Sequence, residues 1–377
     1  MQSKKTIMSS ADKILFTPGP LTTSQTVKLA MLRDLGSRDT EFINIVKQIR
    51  KSLLKLAGDE NGEYEAIIMQ GSGTFSVEAI ISSVTPPNGK WLVINNGAYC
   101  QRIIKIAETL KIPVVSLDYP ENNQPNLNDI DSILSDDKSI THVAGVHCET
   151  TSGIINPIKE MGSIVKKHNK RFFVDAMSSF GAVPINLSEF GIDYIVSSAN
   201  KCIEGVPGFA FVLIKRDALM EIEGYARSLS LDLLDQWKEL EASGQFRFTP
   251  PIQVLLAFNQ ALIELENEGG ILARAERYKK NHDLLVKGMR ELGFKEYVKP
   301  EYQSYIITSF LYLDHPNFDF FRFYDILSQR GYIVYSGKVA GVDCFRIGHI
   351  GRIFESDVKN LLSAIKETLI EMGVIED

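Results

Sequence analysis

The sequence predicts an α/β fold: a mostly parallel sheet covered by helices on both faces, with a smaller α+β unit after it. Short runs that are apolar throughout recur between residues 64 and 215, as strands buried on both faces require. Amphipathic stretches with helical spacing separate most of these runs. Near residue 250 the pattern changes to two long helical stretches followed by a strand-rich segment. At ~150 residues per domain, the 377 residues leave room for two hydrophobic cores or so.

The first strand is YEAIIMQ (64–70), ending at Gly71, and FSVEAIISSV (75–84) follows with helical spacing. Further apolar runs lie at 91–95 (WLVIN), 113–117 (PVVSL), 142–147 (HVAGVH), 171–175 (RFFVD), 193–198 (DYIVSS) and 209–215 (FAFVLIK). The amphipathic stretches 99–110, 127–135 and 158–169 read as helices between them. Helices are then expected over 251–268 and 270–292, interrupted by Gly269 and Gly270. Strands near 304–312, 332–336 and 343–348 and a last helix over 356–372 complete the chain, with a domain boundary near 255–270.

Composition excludes several classes of function. With 44% hydrophobic and 23% charged residues the chain is not disordered. Its 41 basic residues against 47 acids give a net charge of −6. Such a chain has no bulk attraction to phosphate backbones or anionic lipid, so neither nucleic acid nor a membrane is expected as partner. No run of about 18 apolar residues occurs, and the start, MQSKKTIMSSADK, carries no apolar stretch behind its lysines. Cys100, Cys148, Cys202 and Cys344 lie far apart, and the histidines have no ligand spacing. That is neither a disulfide framework nor a metal site, and the cytoplasm is the expected compartment.

In an open α/β sheet ligands sit at the carboxyl ends of the strands. The first of these ends carries Gly71-Ser72-Gly73-Thr74 between a strand and a helix. Small residues let an anion approach the free N–H groups of the helix N-terminus, although a tight turn with a hydroxyl cap would look the same. A third glycine and an acid for a ribose are both missing, so a dinucleotide fingerprint is disfavoured, and no P-loop pattern occurs. Asp175 closes the 171–175 strand, where a carboxylate needs a cation or several donors, or else caps the next turn. Lys201, in Ser197-Ser198-Ala199-Asn200-Lys201-Cys202, follows the 193–198 strand. Partial burial there would lower its amine's pKa and make it a Schiff-base former, against the plain alternative of a solvated loop lysine. Ser198-Ala199-Asn200-Lys201 also matches the S-x-x-K of serine β-lactamases, but the companion S-D-N and K-T-G motifs are absent. An anion cradle, an aspartate and a lysine 26 residues later are the parts that pyridoxal phosphate needs, with Tyr99 as a candidate stacking face.

The segments VDAMSSFGAVPI (174–185) and SSANKCIEGVPGFAFV (197–212) resemble pyridoxal-phosphate aminotransferases of fold type I, class V. LFTPGPLTTSQTVKLAML (15–32), MQGSGTFSVEA (69–79), NNGAYCQR (95–102), VHCETTSGIINPI (146–158), FRFTPPIQVLLAF (246–258) and CFRIGHIG (344–351) follow in family order. The segment 197–212 is similar to the branch of that family that acts on an aminophosphonate. The resemblance implies a large pyridoxal-phosphate-binding domain over 21–262 and a small domain of 263–377 with the N-terminal segment 1–20. It implies that Lys201 carries pyridoxal 5'-phosphate as a Schiff base and that Asp175 pairs with the ring nitrogen. Ser72, Gly73, Thr74 and Asn200 would hold the phosphate, Tyr99 would stack on the ring and Thr151 would bond the ring hydroxyl. Thr249 would reach a phosphate across a homodimer interface, so that two chains share each site. Arg346 would hold the anionic end of an aminophosphonate in one half-reaction and of a keto acid in the other, in ping-pong order.

Ser37-Arg38-Asp39 departs from the Trp-Asp of phosphonate-degrading members, which makes Arg38 a second candidate anion contact. The main alternative within the fold is another class V transamination, of the alanine–glyoxylate or serine–pyruvate type. A cysteine desulfurase would need a nucleophilic cysteine on a mobile loop, whereas Cys344 falls in a predicted strand. A nucleotide-binding α/β module without a covalent cofactor is the alternative from outside the fold.

Overall fold

A computed structural model describes residues 12–376; the expectations for the start of the chain fall on residues 1–11 and lie outside the described residues. The elements in order are β1 (Ile14–Leu15), α1 (Gln25–Ala30), α2 (Thr40–Leu56), β2 (Tyr64–Gln70), α3 (Gly73–Val84), β3 (Trp91–Asn95), α4 (Ala98–Thr109) and β4 (Val114–Asp118). Next come α5 (Leu127–Asp136), β5 (His142–Val146), β6 (Cys148–Glu149), β7 (Ile154–Ile155), α6 (Ile158–Lys167), β8 (Arg171–Asp175), β9 (Tyr194–Ser198) and β10 (Phe209–Lys215). The remainder is α7 (Arg216–Met220), α8 (Leu233–Ala242), α9 (Ile252–Glu268), α10 (Gly270–Glu291), β11 (Ile307–Leu311), α11 (Phe320–Gln329), β12 (Tyr332–Ile333), β13 (Tyr335–Ser336), β14 (Cys344–Gly348) and α12 (Glu355–Glu371).

Seven strands form the main sheet in the order β2-β10-β9-β8-β5-β3-β4. The pairs β3–β4, β3–β5, β5–β8 and β8–β9 are parallel, while β10 runs antiparallel to both β2 and β9. The reversal has a simple cause. No helix intervenes between β9 and β10, and a parallel pair would need a long crossover there. The loop that makes this turn contains Lys201. Strands β5 and β9 are buried at every residue, so both faces of the sheet are covered.

One core runs from Val27 through the sheet to Leu265. A second joins Phe16 to residues between Leu285 and Met372, where β14 is flanked by β11 and β13 in a three-stranded antiparallel sheet. A small cluster with Leu21, Cys148, Cys202, Tyr278 and Ile350 lies between them. We propose the division into 21–262 and 263–376 with residues 12–20, the boundary falling within α9, whose Leu265 still packs in the first core while Leu285 of α10 packs in the second. The break between α9 and α10 rests on Gly269, whose φ of 110° is open to glycine at little cost. The predicted 332–336 strand is two short ones: β12 pairs with β1 and β13 with β14, with buried Val334 between them.

Helix α6 packs on β8 and buries Ile158, Met161, Gly162 and Val165. A methyl group on Gly162 would overlap the backbone carbonyl of Phe190, which cannot rotate away. Gly162→Ala is therefore expected to destabilise the protein by about 1–3 kcal/mol, read as a lower urea midpoint at unchanged slope; an unchanged midpoint would contradict this packing.

Candidate active site

The carboxyl ends of β2, β5, β8 and β9 converge on one cavity of about 200 Å³. Its wall includes Ser72, Gly73 and Thr74 at the start of α3, Tyr99 and Arg102 from α4, and Asp175 after β8. Ser198, Asn200 and Lys201 from the end of β9 and its loop complete that side.

Ser72 is the N-cap of α3, yet its side chain makes no capping hydrogen bond. The first N–H groups of a twelve-residue helix and an unengaged hydroxyl thus face the cavity, the arrangement that takes an anion. A methyl on Gly73 would strike the side chain of Met177, another wall residue. Arg102 donates from Nη1 to Thr74 Oγ1 at 3.1 Å and lies 4.9 Å over the Tyr99 ring. Asn200 accepts from Ser198 at 3.1 Å.

Asp175 accepts from the Met177 N–H at 2.9 Å and is buried. Burial pushes its carboxyl up to about 6, against the pull of that N–H and of Arg102 and Lys201. Lys201 Nζ donates to the Pro18 carbonyl at 2.8 Å. Burial lowers its pKa, opposed by Tyr99, Cys202 and Asp175 and helped by Arg346. At Tyr99 burial acts to raise the phenol, but Lys201, a hydrogen bond with Thr150, Lys338 and Arg346 together bring it below its usual value.

Arg346 is central in β14 and only 2% exposed. Its Nη1 donates to the Thr150 carbonyl at 2.9 Å and its Nε to the Ser336 carbonyl at 3.0 Å. No carboxylate lies within ion-pair distance of it among the described residues. It stands beside the cavity rather than in its wall, within the electrostatic reach of Tyr99 and Lys201.

One expected wall residue falls elsewhere. Thr151 is fully buried, and its hydroxyl donates to Glu149 at 2.5 Å and accepts from the Ala98 N–H at 3.3 Å. The hydroxyl residue in the wall is Thr150 instead, because a tight turn aims neighbouring side chains apart. Thr249, expected to serve a partner's site, lines a separate cavity with Ser37, Arg38 and Arg247, and its carbonyl accepts from Gln70 at the end of β2 at 3.3 Å. Arg102, Thr150 and Glu149 were not singled out from the sequence. For Arg102 the available signal was its position one helical turn after Tyr99. Cys344 lies buried within β14.

A helix N-terminus with free N–H groups, a buried carboxylate, an aromatic ring and an amine of lowered pKa line one cavity, and their chemistry fits pyridoxal phosphate. Fold and site together define a pyridoxal-phosphate-dependent transferase. The aminotransferase class-V family pattern matches residues 23–349, and the chain belongs to that family. It is 51% identical over 364 residues to 2-aminoethylphosphonate–pyruvate transaminase of Bacillus cereus (strain Q1), covering 96% of this chain and all of that one. Among solved structures, pyridoxamine-pyruvate aminotransferase from Mesorhizobium loti matches with a TM-score of 0.88 at 23% identity, over 96% of this chain and 93% of that one. Alanine–glyoxylate aminotransferase from Nostoc sp. matches with a TM-score of 0.88 at 23% identity, over 98% of both chains. These structures share the fold.

The raised Asp175 fixes the sign of a pH effect. If Asp175 holds a cofactor's protonated ring nitrogen, it does so only as the charged carboxylate, so affinity for pyridoxal phosphate should then fall as pH drops through about 6. Asp175→Asn should lose that step and lower turnover at least about a hundredfold. Titrating apoprotein with pyridoxal phosphate between pH 5 and 8 measures the first effect. An identical step in the variant would assign it to another group.

Proposed function

We propose that the protein transfers an amino group between 2-aminoethylphosphonate and pyruvate, interconverting them with phosphonoacetaldehyde and L-alanine. The substrates follow the name of the Bacillus cereus relative. The observation that carries the reading here is Arg346, a buried guanidinium satisfied only by backbone carbonyls. Buried charges are ordinarily paired, and the counter-charge this one lacks is supplied by the substrate. A planar fork accepts both a phosphonate and a carboxylate, as a ping-pong exchange at one site demands.

Pyridoxal phosphate supplies an aldehyde that binds amines and a ring that withdraws electrons from the carbon next to the bound amine. Ser72, Gly73, Thr74 and Asn200 hold its phosphate in this reading, with Arg102 as the nearby cation. Tyr99 provides the stacking face, and Thr150 takes the role expected of Thr151. Asp175 holds the proton on the ring nitrogen. Lys201 would anchor the cofactor; once released, its Nζ would carry a proton from the amino-bearing carbon to the cofactor's aldehyde carbon in the first half-reaction, and from that carbon to the carbonyl carbon of the keto acid in the second. Its lowered pKa keeps more of the amine in the uncharged form this transfer needs.

We further propose a homodimer in the cytoplasm. Thr249 lies outside the cavity, and Leu32, Phe75 and Phe248 are exposed apolar side chains that a second copy would cover. The four cysteines are free and buried, as suits a reducing compartment. Among the described residues no helix is long and apolar enough to cross a membrane.

The test is the visible spectrum of the holoprotein in single half-reactions. 2-Aminoethylphosphonate alone should abolish the absorption of the lysine-bound cofactor, and pyruvate should restore it. A band that ignores the aminophosphonate but responds to alanine or serine would overturn the substrate. Lys201→Ala should lose turnover entirely. Arg346→Ala should raise KM for both substrates about a hundredfold, with lysine a poor replacement; unchanged KM values would remove Arg346 from the site. Sedimentation should give twice the chain mass of 42.2 kDa, and a monomer would contradict the shared site.

A further inference from the structure

Glu149 is fully buried one turn behind the cavity and has no cationic partner within ion-pair distance among the described residues. Its Oε1 accepts from the Thr151 N–H at 3.0 Å and the Thr151 hydroxyl at 2.5 Å, and its Oε2 accepts from the Tyr99 N–H at 3.2 Å. The helix that starts there needs such an acceptor. The N-cap of α4 is Gly97, which has no side chain to offer. Nor could it have one, since a methyl on Gly97 would overlap the Glu149 side chain. The Ala98 N–H is met by the Thr151 hydroxyl at 3.3 Å, so two residues of a distant turn take the place of a cap.

The same turn reaches the other side of the site. Between Glu149 and Thr151 lies Thr150, which lines the cavity and whose carbonyl accepts from Arg346. The Thr151 carbonyl accepts from Ser309 on β11 at 3.3 Å. A carboxylate at the positive end of α4 is favoured by the helix dipole, and here it also fixes a turn that meets the second core.

We propose that Glu149 is a positioning residue: its carboxylate, with the Thr151 hydroxyl, caps α4 and locks the 149–151 turn, setting Tyr99 and Thr150 in the cavity wall and the anchor of Arg346 behind it. Burial is the largest influence on Glu149 and pushes its carboxyl up to about 7, opposed by the Thr151 hydroxyl and N–H and the Tyr99 N–H, with Asp175 adding to the rise.

The inference rests on the aminotransferase reading for its link to cofactor, so the test has one arm that needs no cofactor. Glu149→Gln keeps the shape but presents an NH2 group to an N–H. In the apoprotein, hydrogen exchange in a peptide spanning 97–103 should quicken at least tenfold while α9 and α10 are unchanged. The affinity for pyridoxal phosphate, by equilibrium titration, should weaken at least tenfold. Thr151→Val should act in the same direction and Thr151→Ser should behave like the unmodified protein. Unchanged exchange at 97–103 would overturn the cap. Faster exchange with unchanged cofactor affinity would overturn the positioning role. If the unmodified protein takes up no cofactor, the aminotransferase reading and the positioning role both fall, while the exchange arm still decides the cap.

Discussion

Asp175 and Lys201 face one cavity without neutralising each other. The aspartate accepts from the Met177 N–H and the lysine donates a hydrogen bond to the Pro18 carbonyl, and no ion pair joins them. Much of the architecture serves this separation. Adjacent strands β8 and β9 end side by side, so a residue at the end of one and a residue three past the end of the other flank the same space. The reversed β10 then permits a short loop, and that loop is where Lys201 sits. A parallel strand in its place would have carried the chain away through a helix.

The second unneutralised charge is Arg346, on the other core. Elsewhere the protein pairs its buried arginines: Arg274, fully buried, meets Glu268 at 2.7 Å and donates to the Cys202 carbonyl at 2.6 Å. Arg277 meets Glu204 and Glu268, both at 2.7 Å. That network ties α10 to the loop just after Lys201, since Glu204 donates its N–H to the Lys201 carbonyl at 2.7 Å. Against this background Arg346 stands out: its partners are the Ser336 and Thr150 carbonyls and no carboxylate among the described residues, which is why we propose it as the contact for a substrate anion. Burying an unpaired guanidinium costs stability, a cost that the proposed substrate-binding role would account for.

What was legible in the sequence follows from what each residue's position depends on. Ser72, Gly73, Thr74, Asp175 and Lys201 sit at strand ends, where the break in an apolar run fixes their location. Parallel packing brings such ends together. The helices and their boundaries were readable for the same reason, within a residue or two over α9, α10 and α12. Thr150 against Thr151 was not readable, because adjacent hydroxyls in a turn differ only in direction. Arg102 and Glu149 act through distances that tertiary packing sets: one reaches Thr74 from a neighbouring helix, the other caps a helix about fifty residues earlier in the chain. The splitting of 332–336 between two sheets was likewise invisible to local periodicity, since both halves alternate alike.

The central claim is that this cavity holds the cofactor on Lys201. The direct measurement is reduction of the holoprotein with borohydride, followed by mass spectrometry of its peptides. The phosphopyridoxyl group should be found on the peptide containing Asn200-Lys201-Cys202, with Lys201 modified in place of any other lysine. Modification spread over surface lysines, or none at all, would contradict the account.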